Sequence, residues 1–218
     1  MLIFLAVLLI WVISLCLHEY AHARTAYEGG DVTVAAKGYL TFNPFAYMDV
    51  VGSVIVPIVF LALGGLALPG GAVWIDRSRL RTRRWETAVS LAGPLANAFM
   101  CVLLAAPFLL GIADATSTSP IWSVLAFSCY LQFVAFAINL LPIPGLDGYG
   151  ALEPWLPPRV VEELRPFRRY GMFLMLILFM GTTFDDWLLG HVGARVLQAL
   201  AVPPRPFLEG LAGFQFWR

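Results

Sequence analysis

The stretch LIFLAVLLIWVISLCLHEYAHA runs from Leu2 to Ala23 and is almost pure hydrocarbon until its last turns. At 1.5 Å per residue it is long enough to cross a bilayer core of about 30 Å as one helix. Its end, however, carries His18, Glu19 and His22. Ionisable groups are expensive in hydrocarbon, and inside a span they mark a pathway or a site. This one segment predicts both a membrane fold and a chemical task. A rival reading is a secretory leader ending at AHA, Ala21 to Ala23. It lacks the basic region that should precede the apolar run, because the first basic residue is Arg24, on the far side.

The rest of the chain agrees. Of 218 residues, 60% are hydrophobic and 13% are charged, and the mean hydropathy is +0.78. A soluble domain carries about a quarter charged residues. The composition predicts an all-α polytopic membrane protein with a single domain over residues 1–218. The formal net charge is zero, so no global field draws the chain to nucleic acid. Cys16, Cys101 and Cys129 stand singly in apolar runs. They read as small core residues rather than a disulfide framework or a thiolate metal site.

Further apolar segments cover residues 50–68, 87–110, 121–141 and 170–184. With the first, they predict a bundle of about five transmembrane helices. The tail, residues 187–201, reads either as an interfacial helix or as a sixth span. GYLTFNP, from Gly38 to Pro44, reads as a short strand and turn. Basic residues are sorted by position. Arg24, Lys37, Arg77, Arg79, Arg81, Arg83 and Arg84 precede the third segment, and Arg159, Arg165, Arg168 and Arg169 follow the fourth. ADATSTSP, from Ala113 to Pro120, has none. The positive-inside rule then places both basic regions in the cytoplasm and the N-terminus outside. An even number of crossings must separate Arg24 from Arg77. The second segment, broken by Gly52, Pro57, Gly64 and Gly65 and followed by PGGAVWI at residues 69–75, is therefore predicted to be a re-entrant hairpin. Such backbone is tolerated at membrane depth only beside protein or a wet cavity.

His18 and His22 share a helix face at i and i+4 and can offer two imidazole nitrogens to one zinc ion. Glu19 can reach a water held there and act as general base, the chemistry of the H-E-x-x-H arrangement. A catalytic zinc needs a third protein ligand and an open position. Asp147, in NLLPIPGLDG from Asn139 to Gly148, follows a helix that ends at the same membrane face. Spacing alone leaves Asp147 as either that ligand or a helix N-cap.

HEYAH, AGPLAN (Ala92 to Asn97) and N-x-x-P-x-P-x-L-D-G, in this order on three hydrophobic segments, resemble the site-2 proteases. These are intramembrane zinc metalloproteases, and the likeness covers residues 14–150. It is to the compact bacterial branch without a PDZ domain. YMDVVG (Tyr47 to Gly52) departs from the His-Ile-Asp-Pro-like run of many relatives. The resemblance implies one zinc on His18, His22 and Asp147, with Glu19 as catalytic base. It implies Asn139 beside the scissile peptide or its oxyanion, and Asn97 in a supporting role. A catalytic core over residues 1–150 would then be followed by C-terminal helices over 151–218. The substrates implied are transmembrane proteins, cut inside the bilayer of a bacterial cell membrane, with the site nearer the cytoplasmic face. Gly38, Tyr39, Leu40, Thr41 and Phe42 are candidates to hold an opened substrate by β-strand addition, or form a simple structural hairpin. The competing function is a non-catalytic membrane zinc-binding protein, either a zinc carrier or a chaperone for substrate helices. A carrier should line its path with polar groups along several spans, whereas here they cluster at one depth.

Overall fold

The computed structural model describes residues 1–48, 71–171, 183–184 and 186–215. Three helices among them are long and apolar enough to cross a membrane: α1, Leu2–Gly29; α3, Arg83–Leu109; and α4, Pro120–Asn139. The first continues past its expected end at Ala23 and stops at Gly30, whose φ of 122° suits glycine. Thr82 starts α3, its side chain accepting from the Trp85 amide, with Glu86 in the first turn. Pro120 occupies the first turn of α4, where its missing N–H costs nothing.

The face that each helix buries follows membrane logic. In α1, Leu2, Leu5, Leu9 and Ile13 are exposed, whereas Ser14, Cys16, His18, Glu19, His22, Ala23 and Ala26 are buried. Lipid is as apolar as leucine, so the large side chains face it, and small or polar residues make the helix contacts. The α1 helix packs against α3, and α3 against α4. Cys101, Leu104, Phe108, Ala126, Cys129 and Phe133 form one core cluster, and Val7, Phe127, Leu131 and Phe214 form a second. The three cysteines are buried and free, as the composition suggests.

Short elements complete the bundle: α2, Thr33–Ala36; α5, Asp147–Leu152; α6, Pro158–Leu164; α7, Gly193–Ala199; and α8, Pro204–Phe214. The tail packs along α4. The Tyr130 hydroxyl donates to the Leu189 carbonyl at 3.3 Å, and Leu197 and Val202 enter the first core cluster. The hairpin expected over residues 50–75 is described only at 71–75, and most of the fifth expected span, residues 172–182, lies outside the described residues.

The expected strand at Gly38 to Pro44 does not form; no strand occurs among the described residues. A strand needs a neighbouring ladder. Here the Tyr47 hydroxyl is shared between the carbonyls of Tyr39, at 2.9 Å, and Thr41. The Tyr39 amide turns back to Val34 O at 3.0 Å. The segment is a turn pinned by one buried tyrosine. Tyr47 also accepts at its carbonyl from the Ala72 amide, at 2.9 Å, which ties residues 71–75 to the same loop.

Candidate metal centre

Helical periodicity places the His18 and His22 imidazoles on one buried face of α1. Their Nε2 atoms lie 3.0 Å apart. The Asp147 Oδ2 atom is 3.4 Å from the first and 3.3 Å from the second. Outward, His22 Nδ1 lies 2.6 Å from the Val89 carbonyl, and His18 Nδ1 lies 2.5 Å from Asn97 Oδ1. A carbonyl can only accept, so His22 carries its hydrogen on Nδ1 and turns a bare lone pair inward. With His18 oriented in the same way, two lone pairs and a carboxylate oxygen face one point. A cation satisfies that arrangement, and two imidazoles with a carboxylate are a fitting zinc donor set that leaves a fourth position open. Among the described residues, these three form the group able to hold a metal ion.

Two backbone features make the convergence possible. The first is Gly93, on the face of α3 that meets the imidazoles. A Cβ there would fall 2.5 Å from His18 Nε2 and nearer still to His22 Nε2. Only glycine lets α3 approach this closely. The α3 helix continues through Pro94, so the Gly-Pro pair serves close approach rather than a break. The second is the turn at Pro142, Pro144 and Gly145. Gly145 has φ of 104°, and a Cβ on Gly148 would overlap the carbonyls of Leu140 and Leu141. The chain thus doubles back onto the end of α4. Leu146 takes the cap position and Asp147 is the first residue of α5, so its carboxylate is free to turn inward.

A cavity of about 510 Å³ opens beside the group. Val73 lines it, as does Glu19, which is 5% exposed. Asn139, in the last turn of α4, and Asn97 line it as well. Gly38, Tyr39, Leu40, Thr41 and Phe42 do not. Non-helical residues 71–75 border the cavity instead, and Phe42 stacks on Tyr20 at 4.6 Å.

Three supporting features were not read from the sequence. Gln132, fully buried, accepts at Oε1 from Asn97 Nδ2 at 2.8 Å. An amide in the middle of an apolar span is the signal that could have exposed it. Asp31, also fully buried, accepts from the Thr33 amide at 3.0 Å, the Thr33 hydroxyl at 2.6 Å and the Asp76 amide at 2.7 Å. It fastens the loop that leads from the cavity wall. Glu153 pairs with Arg77 at 3.3 Å and with Arg168, joining that loop to the linker beyond α5. The contacts of Asp31 with Thr33 are a local turn, but its link to Asp76 and both partners of Glu153 are distant in the chain.

Comparison with known proteins agrees with this geometry. The chain is 43% identical over 190 residues to "Putative zinc metalloprotease Rip2" of Mycobacterium tuberculosis strain H37Rv, covering 87% of this chain and 72% of that protein. Identity to the protein of the same name from Mycolicibacterium smegmatis is 43% over 188 residues, covering 85% and 70%. "Putative zinc metalloprotease YwhC" of Bacillus subtilis is 32% identical over 176 residues, covering 78% and 77%. No family model and no solved structure matches the chain. At this identity and coverage, together with its paired histidines and aspartate inside a membrane bundle, the chain belongs to the site-2 protease family.

Proposed function

We propose that the chain is an intramembrane zinc metalloprotease that hydrolyses peptide bonds within the transmembrane segments of other proteins. One observation carries the reading. The two imidazoles of a membrane-spanning helix meet the Asp147 carboxylate at 3.3–3.4 Å, beside a cavity lined by the buried Glu19. His18, His22 and Asp147 would hold the ion. When bound, zinc supplies a Lewis acid that polarises the scissile carbonyl and acidifies a water. Glu19 takes the proton from the attacking water and returns it to the leaving amine. The Asn139 side chain donates to the oxyanion as it forms. Gly93 gives the imidazoles their space, and Asn97 orients His18 through Nδ1.

A substrate helix hides its carbonyls in i to i−4 hydrogen bonds and must open before attack. Residues 71–75 offer non-helical backbone along which an opened segment can align. The chain acts as one membrane domain, with the C-terminal helices supporting the core at 1–150. The basic loops face the cytoplasm and the N-terminus lies outside, as the arginine distribution argues. From Leu2 to His18 the helix rises about 24 Å, which puts the site within the membrane nearer the cytoplasm. The zinc-carrier reading is disfavoured because the candidate ligands form one closed group rather than a path.

The test compares membrane proteomes of cells carrying the parent protein and Glu19→Gln. Accumulation of uncut single-span proteins or fragments in the variant is expected. Identical proteomes, with the variant fully expressed, would overturn the assignment.

A further inference from the structure

The two metal-facing histidines are held in different ways. His22 Nδ1 meets the Val89 main-chain carbonyl, which has no alternative but to accept. His18 Nδ1 meets the side-chain amide of Asn97, which has an accepting end and a donating end. Turned as described, the Asn97 oxygen accepts from Nδ1–H, and the Nε2 lone pair of His18 faces the metal position. Turned over, the Asn97 NH2 would donate to a bare Nδ1. That arrangement places the hydrogen on Nε2, where it blocks ligation. The orientation of one buried amide thus selects a competent or an incompetent His18.

We propose that Gln132 is the positioning residue that fixes this choice. Its Oε1 accepts from Asn97 Nδ2 at 2.8 Å. Both amides are buried, Gln132 completely. A buried amide N–H without an acceptor is costly. With Gln132 turned as observed, its oxygen towards Asn97, the competent orientation satisfies the Asn97 NH2. Without it, only the turned-over orientation does, by donating to His18. Among the described residues the Nε2 of Gln132 has no hydrogen-bond partner, and the residue enters this network through its oxygen. The inference rests on the metalloprotease reading for the identity of the ion, but not for the hydrogen-bond argument.

The experiment measures zinc affinity of the full chain in detergent by competition with a chromophoric chelator, and reads no proteolysis. Gln132→Met keeps the volume and removes the acceptor. It should weaken zinc binding by about 10- to 100-fold, the usual cost of losing an outer-shell partner. Gln132→Glu keeps an acceptor oxygen and should bring affinity back near the parent value. The decisive arm repeats Gln132→Met in an Asn97→Asp background. A carboxylate has two equivalent accepting oxygens and no wrong way round, so the Gln132 effect should vanish there. Parent-like zinc affinity in Gln132→Met would overturn the proposal. So would an equal loss in the Asn97→Asp background, or failure of Gln132→Glu to restore binding, since either would mean that Gln132 serves packing only. If even His18→Ala left zinc binding intact, the metal site itself would be wrong, an outcome separate from any result at Gln132.

Discussion

Consider Gly93→Ala, a change of one methyl group on α3. The added Cβ would sit 2.5 Å from His18 Nε2 and closer to His22 Nε2, where ordinary contact begins at 3.4 Å. The His18 ring must retreat by about 0.9 Å, and the His22 ring further, whereas metal ligation tolerates roughly ±0.2 Å. Two of three ligands are displaced together. Losing one outer-shell partner already costs about 10- to 100-fold in metal affinity, so this variant should lose more than about 100-fold. The metal-free protein should respond differently. Alanine gains up to about 1 kcal/mol over glycine in a helix interior, and the overpacking cost of about 1–3 kcal/mol falls once the rings can swing into the cavity. The assay pairs chelator competition for zinc with thermal unfolding in excess EDTA. Near-normal unfolding of the metal-free variant with abolished zinc binding is expected. A Gly93→Ala protein that binds one zinc ion with parent affinity would refute the close-approach argument.

Other changes separate the remaining roles. Glu19→Gln should retain zinc while slowing cleavage by about 10²- to 10⁴-fold, the usual scale of general-base catalysis, as read by metal analysis beside a gel-based cleavage assay. Asp147→Ala leaves two ligands, so zinc content on purification should fall sharply while the helical circular dichroism signal persists. Asp31→Ala strands the Thr33 and Asp76 amides and should destabilise the fold by about 1–3 kcal/mol in denaturant titration, because each buried donor loses its acceptor. Cysteine labelling in a cysteine-free background should mark the Ala113 to Pro120 loop from outside and Arg79 only from inside; the reverse pattern would invert the proposed orientation.

The sequence by itself determined the solvent and the chemistry. Three spans were legible because hydrocarbon length is written directly as apolar run length, and because charged loops interrupt the runs. The metal pair was legible because a helix brings i and i+4 to one face whatever surrounds it. Tertiary structure alone decided everything that depends on one helix meeting another. Helix α1 is apolar on all sides until its last turns, so no periodicity announces which side faces α3. The placement of Asp147 inside the site rather than at a cap depended on how the turn at Gly145 folds back on α4. The need for glycine at position 93 depended on two imidazoles arriving from a helix far away in sequence. The same distance hid Gln132 and the link from Asp31 to Asp76, which are set by packing rather than by spacing. At Gly38 to Phe42, β-propensity suggested a strand, but one buried hydroxyl on Tyr47 took the carbonyls that a ladder would have used. Local sequence encodes the period of a helix and the cost of a charge in lipid; which groups meet across the bundle is decided only when the helices pack.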